Sequence, residues 1–148
     1  MTMDPITRQG VLDLLTGDWA DYVARFRGLS PAAKAAFLEK QGYKRLADLL
    51  AHIVAWWEVG LEAIQRYQRD PAARQPEIDV DSFNARAVAE VRTVSQAGEI
   101  RVFEATRRKF VELVKALSEE DFKDERVLTQ IKWELVDHLE DHRIPYSR

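Results

Sequence analysis

The 148-residue chain contains no cysteine, so disulfides, thiolate metal ligands and cysteine nucleophiles are excluded together. Five prolines and six glycines leave most of it free to be helical. Long apolar runs are also missing: the most hydrophobic stretch is interrupted by His52 and Glu58, well short of the roughly 20 residues a membrane span needs. The opening MTMDPITRQG has neither the basic segment nor the apolar run of a signal peptide, so a cytoplasmic protein is expected. Charge of one sign is scarce as well. A net charge of -3 provides no field for gathering nucleic acid or anionic lipid, and neither partner is expected.

What is present is a balance of 46% hydrophobic and 32% charged residues, as in a folded chain with one continuous core. A single domain over residues 1–148 follows from the length. The periodicity is helical throughout. Asp4 and Pro5 open a first helix carrying Leu12, Leu15, Trp19, Tyr22 and Phe26 at three- and four-residue spacing, which Gly28 stops. Ser30 and Pro31 start a short connecting helix that Gly42 ends. A second long helix is predicted from about Lys44 to Arg69, with Leu46, Leu49, Leu50, Ile53, Trp57, Gly60 and Ile64 in one stripe.

The stretch DPAARQPEIDVD reads as a loop, after which Asp81 or Ser82 caps a short helix through Glu90. Thr93 with Gln96 fits a capping box for a third long helix, Ser95 to Leu117, and Ser118 with Asp121 repeats the pattern. The last helix runs from about Arg126 to His142 and stops before Pro145. The fold class is therefore all-α, most simply a four-helix bundle with short connecting helices.

The last helix carries the main chemical signal, DHLEDHR, Asp137 to Arg143. Leu128, Ile131 and Leu135 set a stripe that His138 and His142 continue, so both imidazoles are expected to face inward. One turn apart, they can share an ion. His52 lies beside the stripe of the second long helix, in a row with Asp48, Trp56, Val59 and Ala63. Facing helices of a bundle bring such edges together, and three imidazoles without a fourth protein ligand leave positions open for water or substrate. A packed or solvated helix end is the plainer reading of an HxxxH pair.

LADLLAHIVAWWE, Leu46 to Glu58, and DHLEDHR resemble the second and last helices of the DinB/YfiT-like superfamily of four-helix-bundle metalloproteins. Within it the chain is most similar to the ClbS/DfsB-type group, through AWWE after the first histidine and FVELVKALSEEDF, Phe110 to Phe122. The pattern spans nearly the whole chain in the same order. It departs from the family where Ile144 and Pro145 follow Arg143, and where Gly42 and Tyr43 precede the second long helix. The resemblance implies an up-down-down-up bundle and a divalent metal, such as zinc, nickel, iron or manganese, on His52, His138 and His142. It also implies thiol-dependent transfer or hydrolytic detoxification of an electrophile.

Asp48 and Glu134 each stand four residues before a histidine and are candidates to accept from its second ring nitrogen, although ordinary helix-surface carboxylates fit as well. Trp56, Trp57 and Trp133 are candidates for an aromatic pocket or for plain core. Tyr43 or Tyr146 is a candidate hydroxyl donor and Glu58 a candidate base. No particular catalytic residue is singled out. The partner expected is a small-molecule substrate; a non-catalytic ligand-binding or protective protein is the competing reading, and a homodimer a third. Asp79 to Glu90 lacks the ligand and glycine that a calcium loop needs where Phe83 and Asn84 stand. The cluster Arg107, Arg108 and Lys109 lies among acids and reads as a solvated face.

Overall fold

A computed structural model describes residues 5–145, and among these residues every regular element is helical. In chain order they are α1 (Arg8–Thr16), α2 (Tyr22–Arg27), α3 (Pro31–Gln41), α4 (Leu46–Arg69), α5 (Val80–Glu90) and α6 (Gln96–Ala116). A 3₁₀ turn (Asp121–Lys123), α7 (Glu125–Ile131), a π-helical turn (Lys132–Asp137) and α8 (His138–Asp141) complete the chain. No helix among the described residues is long and apolar enough to cross a membrane.

The first predicted helix is two. Asp4 lies outside the described residues; α1 is capped by Thr7, whose hydroxyl accepts from Gly10 N–H. It ends at Gly17, where a Cβ would meet the Asp13 carbonyl oxygen at 2.8 Å. The five-residue turn that follows is what carries Trp19 into the centre of the core, fully buried. There Trp19 meets Trp57 edge to face at 4.8 Å and lies 6.3 Å from Phe103, with Tyr22 alongside at 5.3 Å. Each such aromatic contributes on the order of 4 to 6 kcal/mol of gross apolar burial, which is why this cluster anchors α1, α4 and α6 together.

Helix α4 buries its predicted stripe, Leu46, Leu49, Leu50, Ile53, Trp57, Gly60 and Ile64, and packs against α5, α6 and α7. Two caps differ from expectation. Ser95, not Thr93, caps α6 by accepting from Gly98 N–H, and Asp79, not Asp81 or Ser82, caps α5. In both cases the side chain that sits nearest the first free N–H groups wins over the motif. The Ser118 and Asp121 pair does bond reciprocally, at 3.1 and 2.8 Å, but around a 3₁₀ turn rather than a long helix.

Arg107 also departs from the expected solvated face. Its side chain is largely buried, pairs with Glu104 at 2.9 Å, and donates to the Leu15 carbonyl at 3.1 Å, satisfying the free C-terminal end of α1.

Candidate metal centre

The last predicted helix contains one wide turn. His138 N–H donates to the Trp133 carbonyl five residues back, and Lys132 pairs with Asp137, five residues on, at 3.1 Å. Two core indoles stitch this turn from the other side: Trp57 Nε1 donates to the Glu134 carbonyl at 2.8 Å and Trp19 Nε1 to the Leu135 carbonyl at 2.9 Å. π turns inside α-helices are frequent at functional sites because the inserted residue rotates everything after it. Here Ile131, Leu135 and Leu139 keep the core face, a run at intervals of four that an ordinary helix would let drift by about 40° per step. His138 and His142 consequently do not continue the core stripe. They lie at its edge, half-buried, where α7 and α8 face α4.

At that edge they meet His52, which is 8% exposed. One ring nitrogen from each of the three imidazoles lies within 4.8 Å of the others. The tightest approach is His52 Nε2 to His142 Nε2, 3.1 Å. Two nitrogens on one tetrahedral ion at about 2.1 Å would stand roughly 3.4 Å apart, so this pair already has the required spacing and His138 needs to close by an ångström or so.

The tautomer of His142 follows from a chain of hydrogen bonds. The Asp141 carbonyl can only accept, so the Gln41 amide presents its NH₂ to it at 3.2 Å. The amide oxygen then faces His142 Nδ1 at 2.6 Å, so Nδ1 carries the proton and Nε2 presents a lone pair toward His52. The Tyr22 hydroxyl fixes the backbone of the same residue by donating to the His142 carbonyl at 2.5 Å. The Nδ1 atoms of His52 and His138 are buried, and the Asn84 side chain and the Glu134 main chain lie within hydrogen-bonding influence of these two rings. Protonated at Nδ1, both would turn Nε2 toward the shared centre.

Burial lowers the pKa of all three rings, to about 3 for His138 and about 4 for His142, with their neighbouring imidazoles adding to it. They are neutral at pH 7, the form in which imidazole ligates. The donor set thus fits a divalent ion of the zinc, nickel or iron type.

Glu134 has its backbone in the π turn and its side chain against α4, where Gly60 makes room: a Cβ there would meet Glu134 Cγ at 2.6 Å. Its Oε2 accepts from Gln130 at 2.7 Å, and Oε1 lies 3.9 Å from His138 Nδ1, too far for a hydrogen bond. Burial pushes its carboxyl up to about 8, so it is mainly protonated at neutral pH. Asp48 is turned elsewhere, accepting from Arg45 at 2.9 Å. The residue that does orient a histidine, Gln41, has no signal in the sequence beyond its place at the end of α3, 101 positions from its partner.

The three imidazoles form one wall of a cavity of about 570 Å³, within the usual range for small-molecule sites. Trp56 and Trp133 line it; Trp57 does not, because it is fully buried in the aromatic core. Trp56 donates to Asn84 Oδ1 at 2.7 Å and so ties α5 across the opening. The opposite wall, Gln75, Pro76 and Ile78, belongs to the 70–79 loop. Arg126 holds that loop, donating to the carbonyls of Tyr67, Asp70 and Ala73 at 2.8 to 3.1 Å. Tyr43 lies near the site, its ring tilted against His52 at 5.7 Å, while Glu58 lies outside the cavity and Tyr146 outside the described residues.

Compared with protein-family models, curated proteins and solved structures, the chain finds no match.

Proposed function

We propose that the protein is a divalent-metal-dependent enzyme acting on a small molecule, with His52, His138 and His142 as the ligands. The observation that carries this reading is the convergence of all three histidines of the chain, from α4 and α8, at one wall of a cavity large enough for a substrate. The resemblance of LADLLAHIVAWWE and DHLEDHR to the DinB/YfiT-like superfamily supports it, and the up-down-down-up bundle is part of the proposal.

When bound, a divalent ion with open positions lowers the pKa of water toward 7 or polarises a thiol or carbonyl. The chain's own residues set the conditions for that chemistry. Gln41 holds the His142 ring in its ligating tautomer, and Tyr22 and the Trp19 and Trp57 indoles fix the backbone that carries the pair. Trp56, Trp133 and the loop wall exclude water around the substrate. With no cysteine in the chain, a thiol taking part in transfer would be supplied by a co-substrate. Thiol-dependent transfer to an electrophile and hydrolysis of one are the two outlets.

Elemental analysis of untagged protein, before and after reconstitution, tests the centre. About one divalent ion per chain is expected, lost in a His138→Ala/His142→Ala variant. Wild type holding no more metal than the variant sinks the reading. If a ligand instead binds unchanged after chelation and no turnover occurs, the protein is a binding or protective one, the reading that the aromatic lining of the cavity would favour.

A further inference from the structure

The cavity's lining is one-sided in charge. Asp137 and Asp141 line it, whereas among the described residues no lysine or arginine does. Asp137 already has a cation, Lys132, whose ammonium bonds both carboxylate oxygens at 3.1 and 3.2 Å. Asp141 has no such partner among the described residues. Its main-chain carbonyl accepts from Gln41, and the exposed residue lines the cavity beside His142, its charge acting on His52.

A second feature points to a ligand independently of these acids. The remaining wall is apolar and flat. Trp133 and Val80 are 45% and 52% exposed, large apolar side chains left at the mouth, with Trp56 and Ile78 deeper in. Aromatic faces of this kind accept planar apolar bodies and stabilise cations.

We propose that the cavity takes a primary amine carried on a flat apolar body, its ammonium at Asp141 and its ring against the Trp56 and Trp133 indoles. The proposal rests on the reading above in taking this cavity as the ligand site, but it does not require the metal. An anionic ligand of the same shape would meet an uncompensated carboxylate and, among the described residues, find no basic side chain.

The test uses metal-stripped full-length protein and three probes of similar size: 2-phenylethylamine, 2-phenylethanol and 3-phenylpropanoate. Binding is read by calorimetry and by tryptophan fluorescence. The amine should bind roughly two- to fivefold more tightly than the alcohol, and the carboxylate more weakly than either. Asp141→Asn should remove the amine's advantage while leaving the alcohol's affinity unchanged. Equal affinities, a preference for the carboxylate, no binding of any probe, or an amine preference that survives Asp141→Asn would each overturn the proposal. Zinc stoichiometry measured on the same preparation separates the two readings. Zinc binding without amine preference removes only this inference, and amine preference without zinc binding removes only the metal.

Discussion

Two neighbouring stretches of α4 use the same kinds of residue for opposite purposes. Around Trp57, indoles are sealed among Trp19, Phe103 and Phe110, and each indole N–H has a backbone acceptor. Around His52, a turn and a half earlier, rings meet rings at similar distances, 4.9 Å to His142 and 5.5 Å to His138, but a cavity lies beside them. The first region spends its burial on stability. The second opens onto a cavity instead. The π turn joins them, since its carbonyls are held by the core indoles and its exit aims His138 and His142.

Trp57→Phe should break the separation most strongly. The ring is largely kept, but the Glu134 carbonyl loses its buried donor and part of the indole volume becomes void, costing about 2 to 4 kcal/mol in denaturant unfolding. Because that carbonyl lies in the π turn, metal affinity should fall in the same variant; unchanged affinity would mean that the turn holds its register without the indole.

Gln41→Ala acts on the site alone. Removing the acceptor of His142 Nδ1 should weaken divalent-metal binding by roughly 10- to 100-fold, with the melting temperature nearly unchanged. Competition with a chromophoric chelator would measure it, and a variant that binds as tightly as wild type would deprive Gln41 of its orienting role.

The smallest effect is expected away from both regions. Glu99 is buried in the first turn of α6, and burial, with Glu58 nearby, raises its pKa. A carboxyl whose folded pKa lies above its unfolded value loses stability as pH rises from the unfolded value through the folded one. Glu99→Gln should therefore melt higher than wild type at pH 7, the gap shrinking toward pH 4. A gap independent of pH would contradict the assignment.

Much of the helical order was legible because local rules set it. Ser30 and Pro31 start α3, Gly42 with φ of 85° ends it, and the apolar stripe of α4 is buried as spaced. Legibility failed where tertiary contacts outbid local signals. Gly17 breaks a periodic run so that Trp19 can enter the core, and two indole donors stabilise a wide turn that 3.6-residue periodicity cannot express. The three histidines could be singled out by type and spacing, yet their acceptor could not, since Gln41 is 101 positions from His142.

By itself, then, the sequence determined an all-helical chain, the core faces of its long helices, and the set of side chains able to ligate, because periodicity, capping and residue chemistry act within a few positions. Only the tertiary structure decided that His52, His138 and His142 share one centre beside a cavity, that Trp57 belongs to the core and Trp56 and Trp133 to the site, and that Gln41 orients His142. Those are matters of a few ångströms between distant segments. They are set by how α4 packs on the last helices, and by a single inserted residue in the turn before His138.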